Sequence, residues 1–239
     1  WFGEIPSGPE VEALQAQPVT LAETKSLYFE DNFAKLPELR MVFPTVEEYH
    51  KDSYALQILG QLLSGSKNAP LYQVVVEEQK LAPNIGTYQY SSELAGEFVF
   101  RVRANEQTDL DAVKKAIDSG LTRFEKNGVN NRDLKRIKAE LETNLYQGVS
   151  TVLNKAFQLG QDNEFAGDPS YITKTAKLTN AVTAEDVMRV YNQYIKDRHY
   201  VMTSVIPKNQ LELAVSDAEE ATVWIEEVKQ NVANEEVGQ

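Results

Sequence analysis

Cysteine is absent from this chain of 239 residues, and only two histidines are present. Without a thiol there is no disulfide scaffold, no cysteine-ligated zinc or iron–sulfur site and no cysteine nucleophile. No apolar run approaches the roughly 18 residues that a membrane-spanning helix requires. The opening Trp1-Phe2-Gly3-Glu4-Ile5-Pro6 lacks the basic start and apolar stretch of a signal peptide. Basic residues are in deficit, 24 Lys and Arg against 36 Asp and Glu, so the formal charge is −12. That balance disfavours non-specific attachment to nucleic acid or anionic membrane, both of which are driven by neutralising phosphate. What remains is a globular composition: 42% of residues are hydrophobic, enough to build a core in one large α+β domain or two small ones. The chain opens without Met and in mid-phrase, so it reads as a piece of a longer polypeptide.

Pro6, Pro9 and Pro18, with Gly3 and Gly8, mark residues 1–18 as an extended linker. A domain over 19–208 follows. Leu21, Thr24, Leu27 and Phe29 alternate well enough to predict a strand over 19–30, and 38–46 (ELRMVFPTV) predicts another. The period then changes. Tyr54, Ala55, Ile58, Leu59, Leu62 and Leu63 fall at helical spacing within 52–63, and a short helix is expected over 70–80. Residues 85–91 and 96–103 (GEFVFRVR) read as a hairpin, with Phe98, Phe100 and Val102 facing a core and Arg101 and Arg103 facing away. Thr108 to Asp111 resembles a capping box opening a helix that runs to about Asn127. The strongest periodicity starts at Asn130 or Asn131, where Leu134, Ile137, Leu141, Leu145, Val149, Val152, Ala156 and Leu159 recur every three or four residues. It predicts one long helix, with Leu141, Leu145 and Val152 against the sheet, that Gly167-Asp168-Pro169 breaks. A short helix to about Leu178, a helix over 184–195 capped by Thr183 and a strand over 199–206 complete the domain. Residues 209–239 read as an acidic tail or a linker to a following module, with one helix around Val223, Trp224 and Val228. This order gives an α+β fold: an antiparallel or mixed sheet of about five strands with helices packed on one face.

The residues present offer little self-contained chemistry. His50 and His199 stand far apart in sequence, and neither has the spacing to a second histidine that a one-helix zinc site needs. Glu47, Glu48, His50 and Asp52 cluster before the first helix, where charged side chains are favoured by the helix dipole alone. His199, beside Arg198, reads as a surface histidine. Residues 60–67 (GQLLSGSK) look superficially like a phosphate-binding loop, but Ser66 precedes Lys67 and a helix, not a strand, comes before. Arg132, Lys135, Arg136 and Lys138 alternate with Asp133, Glu140 and Glu142, which describes a solvated helix face and not a nucleic-acid site.

Six phrases carry a resemblance. They are 1–6 (WFGEIP), 62–65 (LLSG), 71–82 (LYQVVVEEQKLA), 96–98 (GEF), 165–169 (FAGDP) and 182–187 (VTAEDV). In this order and spacing the chain resembles the pitrilysin/insulinase family of zinc metallopeptidases. The resemblance implies the α+β half of LuxS/MPP-like metallopeptidases, and specifically the second, non-zinc-binding half of a catalytic module. The family's H-x-x-E-H helix and third glutamate ligand belong to the preceding half, so no catalytic or metal-binding residue is assigned here and zinc belongs to the parent protein. In the half that completes the site from across the chamber, the family carries an Arg and, seven residues later, a Tyr that stabilise the oxyanion. Aligned on Leu71-Tyr72-Gln73, those positions are Val76 and Pro83, and neither can do that work. The implied role is a wall of a peptide-degrading chamber, with the preceding zinc-binding half and peptide substrates as partners. The alternative is a scaffold module in a family member that has lost catalysis. Family members of this kind are often exported, so a periplasmic or exported location is expected.

Overall fold

A computed structural model describes residues 3–9, 12 and 14–223. Its elements are β1 (Lys25–Asp31), β2 (Glu38–Thr45), α1 (Ser53–Ser64), α2 (Pro70–Tyr72) running into a π-helical turn (Gln73–Glu78), β3 (Gly86–Ser91), β4 (Gly96–Arg103), α3 (Leu110–Asn127), α4 (Asn131–Gly148), α5 (Val152–Ala166), α6 (Tyr171–Ala181), α7 (Ala184–Tyr194), β5 (Val201–Pro207), a 3-10 turn (Leu211–Leu213) and β6 (Glu219–Glu220). The six strands form one sheet in the order β3-β4-β2-β5-β1-β6. β2 lies antiparallel to β4 and β5, β3 pairs antiparallel with β4 as the expected hairpin, and β1 runs parallel to β5. The class is α+β.

Alternation decides the faces. Leu39, Met41 and Phe43 of β2, Phe98, Phe100 and Val102 of β4, and Met202 and Ile206 of β5 are buried on one face, against the helices. Tyr54, Ala55, Ile58, Leu59, Leu62 and Leu63 of α1 meet them, as the helical spacing predicts. α1 comes so close to β3 that a Cβ on Gly60 would stand 2.9 Å from the Thr87 carbonyl. The Thr87 hydroxyl donates to the Gly60 carbonyl at 2.8 Å and locks this contact. On the opposite, outer face, Phe29, Tyr88, Tyr90 and Arg101 remain open to solvent. No described helix is long and apolar enough to cross a membrane.

Several local expectations need correction. β1 starts at Lys25 and not at Val19, because its partner β5 begins at Val201 and residues before Lys25 have no strand to pair with. α3 is capped by Asp109, whose carboxylate accepts from the Asp111 amide, and not by Thr108. The helix expected over 70–80 tightens into only three α residues before widening into the π turn. The long helix from Asn131 is two helices: α4 ends at Gly148, and Thr151 caps α5 by accepting from the Asn154 amide at 3.2 Å. Leu134 and Ile137 are buried, but Leu145 is only half-buried and Val152 is 88% exposed, so the later part of the stripe does not face the sheet. The chain after 208 puts Leu213 and Val215 into the core and lays Glu219–Glu220 beside β1, adding a sixth strand to the expected five. The helix expected around Val223, Trp224 and Val228 falls, from Trp224 on, outside the described residues.

Candidate functional site

The acidic group before α1 is drawn apart by its partners. Asp52 is buried and accepts from the Arg189 guanidinium at 2.7 Å and the Tyr194 hydroxyl at 2.8 Å, tying α1 to α7. Burial works against its charge, but these two bonds and the Arg189 charge prevail and hold the carboxyl below its ordinary range. Nδ1 of His50 accepts from the Asp52 amide, and Glu48 turns towards α5, where it accepts from the Gln161 amide. Beside it lies Asp162, the buried residue of α5, which accepts from the Tyr49 hydroxyl, the Gln158 amide and the Ile172 backbone. Burial pushes the Glu48 carboxyl up; the Gln161 bond opposes that and the Asp162 charge adds to it. The Tyr49 phenol is pushed up by burial and by its bond to Asp162. These contacts pin a loop to two helices. Among the described residues no three His, Asp or Glu side chains gather as a metal ion requires.

Val76 and Pro83 flank the end of the π turn. Val76 packs partly buried against the core, and Pro83 is exposed before β3. The turn is braced by Glu78, whose carboxylate takes Arg123 of α3 through two bonds of 2.7 and 2.9 Å. It is braced again by Asn105, whose side chain donates to the Lys80 carbonyl at 2.8 Å. A single π turn inside a helix often marks a functional corner. Here an apolar side chain and a pyrrolidine ring stand where the resemblance would put a guanidinium and a phenol.

The weaker candidates disperse. Gly60 to Ser64 are the end of α1 packed on β3. Arg136 pairs along its own helix with Asp133 and Glu140, and Lys138 donates to the Asn180 carbonyl. Nδ1 of His199 lies 3.4 Å from the Thr24 hydroxyl at the start of β5.

Sequence reasoning placed Arg101 and Arg103 away from the core but did not single out Arg40. The strand register brings the three together on the outer face: Arg40 stands opposite Arg101, and Glu38 opposite Arg103. Glu38 takes Arg101 through bonds of 2.8 and 2.9 Å and Arg103 at 3.3 Å. Burial opposes its charge, yet the two arginines hold the carboxyl below its ordinary range. The period-two pattern of ELRMVFPT would have placed Arg40 with them, had β2 and β4 been known to be neighbours.

The model of a family described as the peptidase M16 inactive domain matches residues 1–141. An uncharacterized zinc protease of Bacillus subtilis, YmxG, is 22% identical over 169 residues, covering 71% of this chain and 41% of its own length. A protease from Helicobacter pylori superposes with a TM-score of 0.70 at 19% identity, over 86% of this chain and 50% of that one. A structure of the peptidase M16 inactive domain from Pseudomonas fluorescens gives 0.67 at 19% identity, over 85% and 47%. The chain thus spans about half the length of these proteins.

Proposed function

Because the chain belongs to the M16 peptidase family, as its inactive domain, we propose that it is the non-catalytic half of a zinc metallopeptidase and forms one wall of the chamber in which the parent degrades peptides. The zinc site lies in an upstream half that precedes this chain. One observation carries the reading: the chain matches the family's inactive domain over residues 1–141, and it spans only 41% of a relative described as a zinc protease and 50% of one described as a protease. Val76 and Pro83 support the same division of labour, since neither side chain can donate to an oxyanion. The wall's contribution is shape and contact. The sheet presents a rigid outer face, and α5 presents Val152, Leu153 and Phe157 to solvent, an apolar stripe suited to packing on the zinc half.

The test is made on the parent polypeptide. Its segment upstream of Trp1 is expected to carry H-x-x-E-H, and hydrolysis of a quenched peptide by the parent is expected to stop on chelation. Deleting this half is expected to abolish turnover. An upstream segment without the motif, in a parent that cleaves nothing, overturns the peptidase reading and supports the scaffold alternative.

A further inference from the structure

A surface helix of a globular protein ordinarily buries its apolar side and turns its polar side to water. α5 does the reverse. The residue it buries is Asp162, whose carboxylate accepts from the Tyr49 hydroxyl at 3.0 Å, the Gln158 side chain at 2.9 Å and the Ile172 amide at 3.0 Å. Its large apolar side chains stay outside: Val152 is 88% exposed, Phe157 69% and Leu153 65%, and Leu159 and Phe165 also reach solvent. Leu153, Ala156, Phe157 and Gly160 follow one another at helical spacing along one side of α5. At about 100° per residue, Asp162 falls on the side opposite Leu153. Charge is scarce as well, since Lys155 and Glu164 are the helix's only other charged residues. An exposed apolar stripe with little charge on it is the composition of an interface core.

Three hydrogen bonds to Asp162 orient α5 without covering it, and a helix of this length is marginal in water on its own. The shape of the open side says what fits there. A Cβ built on Gly160 meets nothing within 4 Å, so the backbone can be approached closely at that point. Helix axes come within roughly 8–10 Å only where side chains at the crossing leave room. Ala156 and Gly160 are the low ground of such a crossing, and Leu153 and Phe157 are its ridges. The occupant follows from length. This chain spans about half of the relatives it matches, so a second half on the same polypeptide competes for α5 at the high effective concentration that a covalent link confers. A second copy of the chain has no such advantage.

We propose that α5 receives an apolar helix of the zinc-bearing half, seated over Ala156 and Gly160 between Leu153 and Phe157. The inference rests on the reading of this chain as a chamber wall and names the element through which the wall is joined to its other half.

The chain contains no cysteine, so Ala156→Cys, at an exposed position, provides a single thiol whose rate of maleimide labelling reports on cover. The rate is measured in this chain and in the parent, with the parent lacking the substitution as the blank. Labelling is expected to be at least tenfold slower in the parent. Adding Gly160→Glu puts bulk and charge at the crossing. Because nothing in this half lies near the added side chain, the urea midpoint of the isolated chain should not fall, yet labelling in the parent should quicken at least threefold. Equal labelling of Ala156→Cys in chain and parent overturns the proposal, as does protection in the parent that Gly160→Glu leaves unaltered. Slow labelling of the isolated chain, with sedimentation showing a dimer, also overturns it and assigns α5 to a second copy. Each of these failures leaves the wall reading standing, since that depends on the upstream motif and on the parent's hydrolysis.

Discussion

At the scale of the residue, Asp52 joins two helices through a single carboxylate. Its folded pKa lies below the ordinary value of 3.8, so the native state binds fewer protons there than the unfolded chain. The stabilisation is therefore present above the ordinary carboxylate range and is lost as pH falls through the lower folded value. Asp52→Asn should cost about 1–2 kcal/mol at neutral pH, a modest figure because Arg189 stands partly in water. The penalty should shrink in acid, which urea midpoints at several pH values will show; a penalty independent of pH would deny the carboxylate that role. Val76 and Pro83 make a prediction about the parent. If this half is a wall, the Val76→Arg/Pro83→Tyr form should hydrolyse peptide no faster, whereas an authentic oxyanion donor is worth roughly 2.7–4 kcal/mol. Circular dichroism must first show an intact fold, because an arginine at the partly buried Val76 could disturb the π turn. A tenfold gain in rate would assign the chain to the other half.

Among the elements, α4 and α5 show where periodicity stops being informative. The apolar stripe crosses from one helix to the next without losing its spacing, yet the hydrogen bonds do not cross. Gly148 ends one helix and the Thr151 hydroxyl opens the next. Those two residues were a legible punctuation mark, and the regular spacing of Val149, Val152 and Ala156 concealed it. The burial difference along the stripe can be measured. Ile137→Ala removes a side chain that is 1% exposed and should cost about 2–5 kcal/mol. Leu145→Ala, half in water on the same helix, should cost under about 1 kcal/mol. Denaturant midpoints that reversed the order would mean that α4 turns its other side to the core. α7 shows the opposite case, since its capping box of Thr183 and Asp186 needed no tertiary knowledge to be read.

For the whole molecule, the isolated chain should retain no zinc after dialysis against micromolar chelator and should not hydrolyse peptide. His50 and His199 are committed to separate local contacts, and no third ligand stands with either among the described residues. Stoichiometric zinc in the dialysed chain, measured by atomic emission, would contradict this. So would turnover that a chelator abolishes. The division of the molecule into two sheet faces also explains why the arginine patch of the outer face was hard to foresee. The strands announce which residues share a face, but not which strands are adjacent. Arg40 and Arg101 are far apart in sequence and stand opposite each other only because β2 lies beside β4.

Strand alternation, helix caps and the lack of thiols and paired histidines are properties of neighbouring residues or of composition. The sequence by itself was sufficient to determine the α+β class and the core face of β4. The parallel pairing of β1 with β5, the exposure of α5 and the burial of the Arg40 Nε without a hydrogen-bond partner among the described residues were decided only by the tertiary structure. The reason is physical: local hydrogen bonding and side-chain period act over a few residues, whereas burial and charge pairing depend on what folds back from far along the chain.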